Sequence, residues 1–361
     1  MLPACSMDEC LNVTAEFAVP PQPAKPVIRV QGLTRNFRTY KKEPGLAGAV
    51  RGLFRRQYEE IVAAADVSFE LNEGEFVGFL GPNGAGKTTT LKMLAGLLHP
   101  TRGHATVLDY VPWERHHEYR RQFALLLGQK NQLWWDLPAL DSLELNRKIY
   151  DIDVRQFSAT VEELSHRLQV ADKLNVMVRE LSLGERMKME LIAALLHQPK
   201  VLLLDEPTIG LDVVSQKTVR EFLRTYNRAN QTTILLTSHY MDDIEALCRR
   251  VIIMDRGRVF YNGSLQEVID RFADCKLIEL TTTDPRALLA MRPLPDGSEI
   301  VEQTPGRLKV KVRRESVTGV CRALLEQLPI SDINVQDMAI EEVVRNLFSS
   351  RWAGAIDNSV T

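Results

Sequence analysis

Hydrophobic positions change their period along this chain, and the changes divide it. Residues 27–37, VIRVQGLTRNF, alternate apolar and polar as a half-exposed first strand does. From residue 61 to about 265, short continuous apolar runs replace the alternation: Phe76–Leu80, Val201–Leu204, Thr233–Thr237 and Val251–Met254. Turns or helical stretches bound each run, and runs of that length suit buried strands of a largely parallel sheet. Residues 140–180 read as helical and poor in strands, which predicts a helical subdomain inserted in this mixed α/β core. After Cys275 the alternation returns. KLIELTT and RLKVKVRR read as half-exposed strands, DINVQD as a short strand, and VTGVCRALLEQL and IEEVVRNLF as helices. Residues 276–361 are therefore expected to form a small α+β appendage.

Two stretches fit neither pattern. Residues 1–26 hold five prolines and little periodicity, and read as a flexible tail. LPAC at residues 2–5 resembles the end of a lipoprotein signal, but neither a basic nor an apolar region precedes it, so no processed signal is expected. Residues 38–60, RTYKKEPGLAGAVRGLFRRQYEE, interrupt the strand pattern with a basic segment. Leu46, Val50, Leu53 and Phe54 fall at helical spacing with Arg51, Arg55 and Arg56 among them. The segment reads as a surface excursion or as a basic amphipathic helix facing lipid headgroups or a membrane partner.

Composition narrows the classes. The 361 residues suffice for one large domain and a smaller one. A formal net charge of -2 gives no global basic field, so a nucleic-acid partner is not expected. The apolar runs are far shorter than the ~18–20 residues of a membrane-spanning helix, which points to a soluble or peripheral chain. Five scattered cysteines without CxxC spacing read as reduced thiols.

Three stretches carry recognisable chemistry. GPNGAGKTT at 81–89 fits GxxxxGK[ST] through Gly81, Gly86, Lys87 and Thr88, and it lies between an apolar strand and a helical run, as the motif requires. Its glycines let backbone N–H groups turn in around phosphate oxygens at the positive end of a helix. Lys87 then reaches the β- and γ-phosphates, and the Thr88 hydroxyl is placed to ligate Mg²⁺. VLLLDEP at 201–207 ends a buried strand in two carboxylates: Asp205 suits Mg²⁺, usually through water, and Glu206 suits polarising an attacking water. LTSHYMDDIEAL ends another strand with Thr237, Ser238 and His239, and a histidine there faces the ligand crevice of such a sheet, within reach of a γ-phosphate.

With LSLGE and GLD between them, these motifs make the chain resemble an ATP-binding cassette (ABC) ATPase over residues 27–270, and in particular bacterial exporter subunits whose permease is a separate polypeptide. GQKNQLWWDLP and the C-terminal appendage point the same way. The resemblance implies a RecA-like α/β P-loop core, an antiparallel β subdomain, a helical subdomain at about 130–190 and a small C-terminal α+β domain. It implies ATP and Mg²⁺ as cofactors, with the whole loop, including Pro82, Asn83, Gly84, Ala85 and Thr89, around the nucleotide. Gln129 matches the glutamine that contacts Mg²⁺ and the attacking water, with Gln132 as its rival. Phe37 matches the aromatic that stacks on adenine, with Tyr40 as runner-up. Asp212 matches a carboxylate facing a partner subunit. Ser182 and Gly184 match the signature loop that closes on the partner's ATP. Leu183 replaces the usual glycine and Glu185 the usual glutamine, and Ser182 with Glu185 also spells a helix capping box.

The implied partners are a second copy or a homologous ATPase, arranged head to tail, and an integral membrane permease, with the chain peripheral on the cytoplasmic side of the inner membrane. An import ATPase, or a soluble relative acting on ribosomes or DNA, is the alternative. The two adjacent tryptophans, Trp134 and Trp135, suggest one core residue and one surface anchor for the permease.

Overall fold

The computed structural model describes residues 26–40, 58–128, 132–238, 240–272, 275–289, 291, 293–295 and 297–337. The proposed tail (1–25), the middle of the basic segment (41–57) and the C-terminal stretch IEEVVRNLF lie outside them, as do Gln129 and His239.

The central sheet has six strands in the order β5 (Phe123–Leu127), β6 (Val201–Asp205), β7 (Thr233–Thr237), β3 (Phe76–Leu80), β8 (Arg250–Asp255) and β9 (Arg258–Ser264). All neighbours are parallel except β8 and β9. The continuous apolar runs follow from burial of both faces. Leu202, Leu204, Ile234 and Leu236 point into one core, whereas Val201, Leu203 and Leu235 point into another on the opposite face. Each such side chain contributes about 1.5–3 kcal/mol by leaving water. β5 was not anticipated, because FALLL follows HEYRRQ with no Gly, Pro or Asn to mark its start.

The second core is closed by an antiparallel sheet of β2 (Tyr58–Asn72), β1 (Pro26–Tyr40) and β4 (Arg102–Val107). Here the expected boundaries need correction. Residues 38–40 and 58–60 are strand, in the register Arg38↔Glu60, Thr39↔Glu59 and Tyr40↔Tyr58. The opposite charges of Arg38 and Glu60 meet across the strands at 3.3 Å, which favours continued pairing.

The first core continues into helices. After α1 (Lys87–Leu94), these are α2 (Ala139–Tyr150), α3 (Val154–Arg167) and α4 (Leu183–Leu195). Asp153 caps α3, accepting from the N–H groups of Arg155 and Gln156. Leu143, Phe157, Val161 and Leu164 pack with Met187, Leu191 and Ile192 of α4, so the helical character read over 140–180 is present. α5 (Val213–Asn230) and α6 (Met241–Leu247) follow β6 and β7.

The last sheet is antiparallel, in the order β11 (Ser298–Thr304), β12 (Arg307–Arg313), β10 (Cys275–Thr282) and β13 (Ile330–Asp337). α7 (Val317–Gln327) buries Val320 and Leu324 against Ile278, Leu308 and Val310. β11 was missed because it is an exposed edge strand with no apolar face to alternate. Among the described residues no helix is long and apolar enough to cross a membrane.

Candidate active site

β3 ends at Leu80 and the chain turns through Gly81–Gly86 into α1. Gly86 has φ of 102°, and a Cβ there would stand 2.2 Å from the Ala63 carbonyl oxygen; at Gly81 it would meet the Met254 oxygen at 2.4 Å. The loop is therefore closed to side chains at both ends. Pro82, Asn83 and Gly84 between them face solvent, Ala85 is buried, and Thr89 is half-buried in the first turn of α1.

Lys87 is buried, and its Nζ donates to the carbonyls of Gly81 (2.6 Å) and Pro82 (3.1 Å). Burial lowers its pKa; the charges of Glu206 and Asp205 oppose that shift. The Thr88 hydroxyl donates to Asp205 Oδ2 at 2.9 Å. Asp205 Oδ1 accepts from the Thr237 hydroxyl at 2.7 Å, and that same hydroxyl accepts from the Glu206 N–H at 3.1 Å. Three strands thus present their C-terminal ends to one point: β3 through the loop, β6 through Asp205 and Glu206, and β7 through Thr237. The motifs did not assign Thr237 a part; its signal was a polar residue closing an apolar strand. Glu206 has φ of 56°, a left-handed backbone that costs a non-glycine residue of order 1 kcal/mol and is held here by its bond to β7. On the far side Gly128, at the end of β5, donates to the Asp205 carbonyl at 2.8 Å, and a Cβ on it would meet the Glu206 oxygen at 2.4 Å.

Beyond β7 the backbone is held by Asp243, fully buried on α6, which accepts from the Ser238 hydroxyl at 2.7 Å and lies 3.6 Å from the Arg220 guanidinium. Ser238 is the residue before His239. Gln132, the rival of Gln129, donates its side-chain amide to the Leu125 carbonyl at 2.6 Å. Phe37 is half-buried on β1 with the Arg35 guanidinium 4.8 Å above its ring, and is not a core residue. The Tyr40 side chain lies outside the described part.

LSLGE forms the capping box that its spacing predicts. The Glu185 N–H donates to Ser182 Oγ at 3.3 Å, and Glu185 Oε2 accepts from the Ser182 N–H at 2.9 Å. That backbone bond is the main reason the Glu185 pKa is lowered; Lys173, 3.4 Å away, adds to it. Leu183 is the first residue of α4 and its backbone is not left-handed, so this position needs no glycine. Gly184 does have to be small: a Cβ there would stand 2.6 Å from Ser215 Oγ. Ser215 belongs to the first turn of α5, whose exposed N-cap Asp212 accepts from the Ser215 N–H at 2.9 Å, the bond that chiefly lowers the Asp212 pKa. The N-termini of α4 and α5 therefore touch, with Leu183, Val213 and Val214 exposed around them.

The tryptophan expectation is corrected. Both rings are exposed, Trp134 at 59% and Trp135 at 45%, and Leu133 takes the buried place. The alternation argument assumed a strand or a helix, but this stretch is an irregular strap. Leu137 N–H turns back to the Trp134 carbonyl, Trp134 N–H donates to Ser142 Oγ, and the Trp135 carbonyl accepts from Arg179 N–H.

A glycine loop closed to side chains at both ends, a buried ammonium and a hydroxyl–carboxylate pair, at the C-terminal edge of a parallel sheet, answer the needs of a transferable phosphoryl group. The class this defines is the P-loop nucleoside triphosphatases. Residues 64–209 match the ABC transporter family, and residues 274–336 match the C-terminal domain of EvrA-like ABC transporters. The chain is 37% identical over 217 residues to the ABC transporter ATP-binding protein NatA of Bacillus subtilis, which spans 60% of this chain and 88% of that one. It is 34% identical over 251 residues to the Nod factor export ATP-binding protein I of Burkholderia pseudomallei, spanning 69% and 82%. A solved ATP-binding cassette, a dimer in a post-hydrolysis state with ADP and phosphate, shares the fold at 22% identity and a TM-score of 0.55, covering 66% of this chain and 98% of that one. The protein belongs to the ABC transporter ATP-binding subunits, and it binds and hydrolyses ATP.

Proposed function

We propose that this subunit energises export through a permease carried on a separate polypeptide, working as a head-to-tail dimer on the cytoplasmic face of the inner membrane. The observation that carries the catalytic part is the linked set Lys87, Thr88, Asp205, Thr237 and Glu206. Residues 27–270 are the nucleotide-binding unit in this reading, and residues 276–361 an accessory domain. The loop residues Gly81–Thr89 surround the phosphates, Phe37 lies against adenine, and Gln129 and His239 address the attacking water and the γ-phosphate. Thr88 and Asp205 fit Mg²⁺, which takes one or two hard protein oxygens and completes its shell with phosphate and water. When bound, that ion neutralises charge on the phosphate oxygens. Lys87 exchanges its two carbonyl bonds for phosphate oxygens. Glu206 accepts the proton of the attacking water.

Lys87→Ala tests the binding arm. Removing the ammonium is expected to lower triphosphate affinity tenfold or more, about 1.4 kcal/mol, with the melting temperature retained. Titration with a fluorescent ATP analogue measures it, and parental affinity would refute the loop's role.

The dimer is supported by the paired N-termini of α4 and α5 and the apolar residues exposed around them. Export is supported by the relative named for it. The permease is supported by two exposed tryptophans that follow Gln132 in the chain, Gln132 itself lining a groove of about 370 Å³ with Leu97, Phe123, Leu125 and Tyr150. Since both rings are exposed, Trp134→Ala and Trp135→Ala are each expected to leave melting and ATP binding near parental values. Each should reduce the membrane protein that co-purifies with the tagged chain, because truncated aromatic anchors cost ~2 kcal/mol or more. Parental co-purification by both variants would remove the docking role.

A further inference from the structure

Glu190 has no part in any motif, yet its buried carboxylate accepts from two backbone N–H groups. It lies two turns along α4 from Ser182, about 12 Å at 1.5 Å per residue, and is 3% exposed. Both of its oxygens accept from the Gln132 N–H, at 2.9 and 3.0 Å, and Oε1 also accepts from the Leu133 N–H at 3.2 Å. A buried carboxylate is costly unless its bonds are good, and mere packing on an otherwise apolar helix face would be served by a Leu or Met. What the carboxylate does, and an alkyl side chain cannot, is hold two successive backbone N–H groups of the strap. Gln132 also donates its side-chain amide to the Leu125 carbonyl of β5 at 2.6 Å, and Gly128, at the end of β5, is bonded to Asp205 and lies against Glu206. At its other end α4 begins at Ser182.

We propose that Glu190 is a positioning residue for hydrolysis, fixing the strap to the signature helix so that closure on a partner's nucleotide at Ser182 reaches β5 through the Gln132 amide and, at the end of β5, the Gly128–Glu206 contact of this chain's own site. The inference rests on the signature and Glu206 roles proposed above. Burial raises the Glu190 pKa, and the two N–H bonds and the charge of Arg186 oppose that shift.

Glu190→Gln keeps the shape but sets an amide NH₂ against a backbone N–H. Glu190→Asp keeps the charge but is one methylene too short to reach both donors. In the full chain both are expected to lower kcat for ATP at least tenfold. Affinity for a fluorescent ATP analogue should stay within twofold of the parent, since no atom of the phosphate loop is touched. Parental kcat in either folded variant overturns the proposal. So does a fall in kcat matched by an equal fall in affinity and melting temperature, which marks packing alone. Glu206→Gln is assayed alongside: if it turns over at the parental rate, the reading of the site itself has failed. If it is inactive while the Glu190 variants are parental, only the positioning role has.

Discussion

Glu206→Gln is expected to lower kcat at least a hundredfold and to accumulate as an ATP-bound dimer on size exclusion with ATP and Mg²⁺. General-base assistance is worth roughly 10²–10⁴ in rate, and the amide cannot accept the proton. The Glu206 N–H that places the residue donates to the Thr237 hydroxyl and carbonyl, and the substitution does not touch those bonds. The left-handed φ is unchanged as well. Thr88 keeps its bond to Asp205 and Lys87 its place at the loop, and nucleotide affinity should stay within about twofold, under ~0.5 kcal/mol. Hydrolysis at the parental rate would remove Glu206 from the mechanism.

Ser182→Arg should abolish hydrolysis while leaving ATP binding to the monomer near the parental value. A long cation at the start of α4 fills the face on which the partner's γ-phosphate is proposed to sit, while the residues of the chain's own phosphate loop are unchanged. The capping box complicates a smaller change, because Ser182 also serves α4. Loss of a cap costs about 0.5–2 kcal/mol, so Ser182→Ala would mix two effects. Ser182→Asp separates them. Aspartate is a good N-cap and should preserve the melting temperature, but a second carboxylate beside Glu185 repels phosphate, so activity should still fall. Full activity in Ser182→Asp would show that SLGE is a cap and nothing more.

Much of this was legible in the chain because burial on both sheet faces writes itself as continuous apolar runs, and because phosphate binding constrains spacing tightly. Lys87, Thr88 and Asp205 could be named and paired from the motifs alone. The parts that escaped lack a local signature. Thr237 acts through a hydroxyl whose partners come from β6, 32 residues away along the chain. Glu190 acts on backbone groups 58 residues upstream, in a helix stretch where it looks like an ordinary polar residue. The tryptophans misled for another reason: the alternation rule presumes regular backbone, and turn bonds to Ser142 and Arg179 override it.

The absence of a side chain at Gly184 has a mechanical consequence. Because Ser215 Oγ occupies the space a Cβ would need, the first turns of α4 and α5 lie in direct contact. Further along, α4 carries Glu190 to the strap, and α5 lays Val219 and Leu223 in the core that Leu204 and Leu236 enter from the sheet. A load that presses the two first turns together is therefore shared by both helices.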